Sequence, residues 1–268
     1  MTNMYKFLLP LAALLVVSGC RAVPITDRNQ LMLTTSDYEN ELGVEAYTEY
    51  KQKYKTSTNT EYNQALARCG KAIADASGVT DFDWQFTVLE TEEQNAFCLP
   101  GGKVAVYSGI IDVMNNEAEL AFVVAHEVGH AIARHSGERL SWSYIQSLGG
   151  VLVELGLNNE TASSIYGVGT NLGVMLPFSR SNESEADLIG LLLMAKAGYN
   201  PKASVQFWSR FSSNASSSKL GTLLSTHPCD ADRIAAMKDN MARAEAEYKK
   251  AKNKKDFGIT FSHAGNRK

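Results

Sequence analysis

Apolar residues change their spacing along this chain, and each change predicts an element. From Ser36 they recur at helical intervals, with Leu42, Ala46, Tyr47 and Tyr50 behind a Ser36-Asp37-Tyr38-Glu39 stretch of capping-box form. A polar break at Ser57 to Asn59 follows. A second helix then carries Leu66, Cys69 and Ile73 on one side and stops near Gly78. At Trp84 the period drops to two: Trp84, Phe86 and Val88 alternate with Gln85 and Thr87, the mark of a half-buried strand. Pro100-Gly101-Gly102 reads as a turn, and Lys103 to Tyr107 as a second strand. A long helix follows to about His135, capped by Asn115 or Asn116, with Glu117 and Glu119 favourably placed in its first turn.

Residues 140 to 176 are apolar but interrupted by Gly149-Gly150, Asn158-Asn159 and Gly167. No run there reaches about 18 uninterrupted apolar residues, so buried or lid-like helices are expected and a membrane span is not. Another helix covers roughly Asn182 to Ala197, ended by Gly198 with Pro201 beyond. Ser212 to Ser218 reads as a flexible loop. A last helix starts near Asp230, and residues 249–268 read as a lysine-rich, disordered tail. One folded domain is therefore expected over residues 36–248.

Composition changes this picture little. In 268 residues, hydrophobics make up 44%, charged residues 21%, and the net charge is −3. That balance argues against a nucleic-acid partner and is otherwise ordinary for a globular protein. The N-terminus is more telling. Lys6 precedes an apolar run from Phe7 to Val17, too short to span a bilayer but suited to a secretory signal over residues 1–19. The run closes with Val17-Ser18-Gly19-Cys20, which resembles a lipobox. Cys20 would then become a lipid-bearing N-terminus on a tether of residues 20–35. Arg21 stands where aspartate would mark retention at an inner membrane, so an outer-membrane anchor facing the periplasm is expected in a Gram-negative source. Cys69, Cys98 and Cys229 remain; Cys98 and Cys229 flank the segments with candidate chemistry and are a conceivable disulfide, with free buried thiols the alternative.

That chemistry centres on His126-Glu127-Val128-Gly129-His130. Two histidines four apart on a helix project one turn apart on one face, so both imidazoles can reach one ion. Zinc accepts such ligands and, in catalytic sites, keeps a fourth position for water. Glu127 is placed to take a proton from that water. Gly129, without a side chain, would let another segment approach closely. On the helix near residue 182, Glu183 and Asp187 share a face while Glu185 points roughly opposite. Glu183 can thus complete the ligand set while Asp187 accepts a hydrogen bond from a ligand imidazole. His135 falls off the ligand face, and His135 and His263 read as structural.

His126 to His130 together with Ser179-Arg180-Ser181-Asn182-Glu183-Ser184-Glu185-Ala186-Asp187 resemble the CAAX-prenyl-protease and HtpX group of zinc metallopeptidases, in particular their soluble envelope and OMA-like relatives. Residues 95–102, 106–109 and Thr226-His227-Pro228 with Arg233 agree with the same group, and the likeness spans about residues 28 to 245. It implies an α+β, gluzincin-like fold, mostly helical around a small antiparallel or mixed sheet, with Glu183 as third ligand to one zinc. It further implies that His227 fills the fourth metal position at rest or donates to the oxyanion, with Arg233 assisting by charge. Gly102, Lys103, Val104 and Ala105 would belong to an edge strand that pairs with extended substrate; an ordinary core strand is the plainer reading, and both can hold, since an edge strand has one free side. The expected activity is endopeptidase action on unfolded or misassembled envelope proteins. The alternative is a zinc-binding chaperone-like or scaffold protein with little proteolysis.

Overall fold

A computed structural model describes residues 20–157, 176–213, 223 and 226–263. A short hairpin, β1 (Cys20–Ala22) with β2 (Asn29–Leu31), precedes helices α1 (Ser36–Lys53) and α2 (Thr60–Ser77). Strands β3 (Gln85–Leu89), β4 (Ala96–Leu99) and β5 (Lys103–Tyr107) follow, then a short α3 (Ser108–Ile111) and the long α4 (Glu117–Ile132) and α5 (His135–Leu157). The remainder is α6 (Leu176–Lys196), α7 (Lys202–Ser213), α8 (Ala231–Asp239) and α9 (Met241–Lys250). This is the mostly helical α+β arrangement that the sequence predicts, and no described helix is long and apolar enough to cross a membrane.

Helix α4 lies at the centre, with apolar residues around most of its circumference. From Glu117 to Gly129 every residue is buried, so neighbours must cover the whole cylinder. Asn116 starts it, its side chain accepting from the Glu119 backbone N–H at 3.1 Å. Its core residues form one cluster with α2, α6, α7 and the sheet. The α4–α6 approach is close because glycines sit at the crossing. A Cβ on Gly190 would lie 2.8 Å from the His126 nitrogen and 2.9 Å from its Cα, and one on Gly129 would lie 3.1 Å from the Ala186 oxygen. Gly190→Ala therefore pushes apart the two helices that carry the candidate ligands. Urea unfolding is expected to show a loss of about 1–3 kcal/mol, the usual range for overpacking; unchanged stability would mean the helices yield freely.

The sheet order is β3-β5-β4, with β3 parallel and β4 antiparallel to β5. Strand β5 is thus central, and its backbone is paired on both sides. The expectation that residues 102–105 form a substrate-binding edge is therefore corrected: the free edge beside the site is β4. Every β5 residue is buried, and Lys103 turns its Nζ onto Asp83 Oδ2 at 2.6 Å. Gly101 and Gly102 make the β4–β5 turn with φ of +77° and +83°, a region that favours glycine.

Two segments expected to be loose are packed. Residues 20–31 form the hairpin: Val23 is buried in the core, and Arg28 bonds Glu138 and Glu185. The tail beyond residue 249 returns to the body, where Asn116 pairs with Thr260 and Phe261 is fully buried. Phe257, Ile259 and Phe261 alternate among polar residues, a strand-like pattern that the lysines obscure. Smaller shifts concern boundaries. Thr35, one residue before the expected cap, accepts from the Tyr38 N–H; α4 stops at Ile132, short of His135; α6 starts six residues before Asn182. Within the 140–176 segment, α5 continues through Gly149-Gly150, and residues 158–175 lie outside the described residues. Ser212 and Ser213 end α7, and 214–218 lie outside likewise. Cys69, Cys98 and Cys229 are all free thiols.

Candidate metal centre

His126 and His130 stand one turn apart on α4 with their Nε2 atoms 3.1 Å from each other. Glu183 enters from α6, placing Oε1 3.2 Å from His130 Nε2 and Oε2 3.4 Å from His126 Nε2. His227, on the segment leading into α8, brings Nδ1 to 3.1 Å from Glu183 Oε2 and 3.3 Å from His126 Nε2. Ligand bonds of about 2.0–2.1 Å put the corners of a coordination tetrahedron about 3.3–3.4 Å apart, so these spacings match a cavity for one ion. Three imidazoles and a carboxylate, largely withdrawn from water, are a donor set that suits a divalent metal.

Each candidate ligand histidine has a partner behind it. His126 Nδ1 lies 3.0 Å from Asp187 Oδ1, although the approach is bent. Asp187 is gripped by Arg233, with Nε donating at 2.6 Å and Nη2 at 2.8 Å, and Arg233 Nη1 lies 3.1 Å from Glu183 Oε2. Burial pushes the Asp187 carboxyl up, and His126 with the Arg233 guanidinium outweighs it and holds the group below its ordinary range. Arg233 is buried and lines no part of the cleft, so its charge acts on the two carboxylates and not directly on a substrate. Asp187→Asn is expected to weaken metal binding by about 10- to 100-fold, as loss of such outer partners does elsewhere. Competition with a chelator measures this, and an unchanged affinity would show that His126 needs no support.

Glu127 is buried, its Oε1 lacking a hydrogen-bond partner and standing 3.5 Å from His227 Nε2. The Cys98 backbone of β4 lies beside the same carboxylate and favours its charged form. Burial raises its proton affinity above that of an ordinary glutamate, with the facing histidines opposing the shift. A carboxylate so placed can take up and release a proton beside the cavity. Beside it opens a cleft of about 360 Å³, lined by Phe97, Cys98 and Leu99 of β4, by Glu127, His130, Glu183 and His227, and by Arg139. Gly102, Lys103, Val104 and Ala105 do not line it.

Sequence reasoning missed His135, which lies 2.8 Å from His130, Nδ1 to Nδ1, and Glu185, 2.9 Å beyond it. Helical arithmetic misplaced His135 because α4 ends at Ile132 and Arg134 adopts φ of +56°, turning the chain back toward the site. Glu185 does face away from Glu183, as expected, but toward His135. His263 is structural as expected, bonding the Met114 carbonyl.

Comparison with known proteins agrees with this geometry. Peptidase family M48 matches residues 60–241. The mitochondrial metalloendopeptidase OMA1 of Schizosaccharomyces pombe is 34% identical over 231 residues, covering 84% of this chain and 67% of the yeast protein. OMA1 of Arabidopsis thaliana is 38% identical over 158 residues, 59% of this chain and 32% of that protein. The beta-barrel assembly-enhancing protease of Escherichia coli (strain K12) is 28% identical over 186 residues, 66% of this chain and 37% of that protein. The chain thus spans about two thirds of the first relative and about a third of the other two. With the histidine pair, the distant glutamate and the buried Glu127 held around one cavity, the matched region places this chain in peptidase family M48, as a metalloendopeptidase.

Proposed function

We propose that the chain is a zinc-dependent endopeptidase acting on unfolded or misassembled proteins of a bacterial envelope, and that it is held there by lipid on Cys20. The observation that carries the catalytic part is the convergence of His126, His130 and Glu183 beside Glu127, with His130, Glu183 and Glu127 lining one cleft. Zinc, when bound, supplies Lewis acidity for the scissile carbonyl and lowers the pKa of water to about 7. Glu127 accepts a proton from the attacking water at Oε1 and passes it to the leaving amine. The substrate backbone lies along the outward edge of β4, residues 96–99, as an added strand. Support for the anchor is the Val17-Ser18-Gly19-Cys20 sequence alone. An outer-membrane position facing the periplasm follows from Arg21 on the same reading.

His227 takes the fourth donor place in the apposed arrangement, so it has to swing aside for substrate to enter. Released, it can donate a hydrogen bond to the oxyanion. This makes the resting protein self-occluded, with low basal cleavage. The test is metal analysis with cleavage of an unstructured protein such as casein, on wild type and His227→Ala. Bound zinc and cleavage are expected in both, with altered basal turnover in the variant. Zinc-loaded protein inactive in both forms would favour the scaffold alternative.

A further inference from the structure

An arginine–carboxylate pair stands behind each ligand histidine, but only Asp187 with Arg233 sits directly against its imidazole. Behind His130 the carboxylate is one residue removed. His130 Nδ1 meets His135 Nδ1 at 2.8 Å, and His135 Nε2 meets Glu185 Oε2 at 2.9 Å. Glu185 then accepts from Arg28 Nε at 2.9 Å and from the Thr26 hydroxyl. Arg28 also grips Glu138 with both terminal nitrogens, at 2.8 Å and 2.7 Å.

Donor and acceptor rules fix the direction of this chain. An ionised carboxylate only accepts, so His135 carries its proton on Nε2. Neutral His135 then offers a lone pair at Nδ1, which only a proton on His130 Nδ1 can meet. His130 is left with a bare Nε2, the atom that faces His126 and Glu183. Reversing the order would put a proton where a metal needs a lone pair.

We propose that Arg28, between the strands of the N-terminal hairpin, is a positioning residue for the metal site that sets the tautomer and orientation of His130 through Glu185 and His135. This rests on His130 being a metal ligand. Glu138 and Glu185 come from α5 and α6, both are buried, and Arg28 is the cation that bridges them. Without it the two carboxylates repel, Glu185 turns away, and His135 loses the acceptor that orients it. The segment directly after Cys20 is then part of the metal site and not a leash.

Zinc affinity, measured by chelator competition on the full chain, tests this with Arg28→Ala, His135→Ala, the double variant and Val23→Ala. Val23 is buried in the same hairpin and meets Arg28 through the backbone, its N–H donating to the Arg28 carbonyl at 2.8 Å, a bond that Val23→Ala keeps, so its variant reports loss of side-chain packing alone. Outer partners are worth about 10- to 100-fold in metal affinity. Arg28→Ala is expected to weaken binding by about 10-fold and His135→Ala by up to about 100-fold. The double variant should be no weaker than His135→Ala, because both act along one path. Val23→Ala should lower the unfolding midpoint and leave the affinity unchanged. Arg28→Lys keeps the charge but not the fork across two carboxylates, and should fall between; it decides the question if Arg28→Ala does not fold. Wild-type affinity in the Arg28 variants, or additive losses in the double, would overturn the proposal. A wild type that takes up no stoichiometric metal would overturn the metal reading itself.

Discussion

Glu127→Gln is expected to keep its metal and lose cleavage by about 10²- to 10⁴-fold, the contribution typical of a positioned general base. The amide occupies the same volume, so the packing of α4 should not change. It cannot take a proton, however, and the ligand atoms are on other residues. Glu127 Oε1 has no hydrogen-bond partner in a buried position, which is costly unless the group has a task. Structure alone would favour an apolar side chain there. The measurement pairs metal content with kcat on an unstructured protein. Activity within a few-fold of wild type would refute the assignment of the base, and loss of the metal would mean that Glu127 supports the ligands.

Glu183→Ala is expected to have the other large effect, and of a different kind: the metal itself is lost. Its two oxygens stand between three imidazoles and the Arg233 guanidinium, and the imidazoles hold the carboxyl far below its ordinary range despite burial. Removing it leaves no anionic donor in the set, so affinity should fall by more than the roughly 10- to 100-fold attached to outer partners. Stability follows by mass action. A ligand at 100 times its dissociation constant stabilises the native state by about 2.7 kcal/mol, and that increment should vanish from thermal unfolding with added zinc. If the variant still gains stability from zinc as wild type does, Glu183 is not a ligand.

The candidate ligand cluster was legible in the sequence because it is local. His126 with His130, and Glu183 with Asp187, are each one helical turn apart, and helical spacing alone puts them on common faces. The apolar run around Leu120 to Ala125 likewise announced a buried helix. What failed was non-local. Nothing in Lys103 to Tyr107 says whether another strand lies on each side, and the β3-β5-β4 order moved the free edge to β4. His135 was misplaced by a single residue of positive φ, Arg134, which no period encodes. The hairpin at residues 20–31 reads as a polar linker because its anchor is Arg28, a charged residue that pairs with carboxylates over 100 positions away. Glu138 and Glu185 are unremarkable on their helices until that arginine arrives. Gly190 gave no signal either, since its reason is the backbone of another helix.

X-ray absorption at the metal edge of the isolated protein addresses the convergence of these side chains most directly. The expected spectrum has nitrogen and oxygen neighbours alone, at about 2.0–2.1 Å, with outer-shell scattering from at least two imidazoles. A sulfur neighbour at about 2.3 Å would place the ion on a cysteine and contradict the site built from His126, His130 and Glu183.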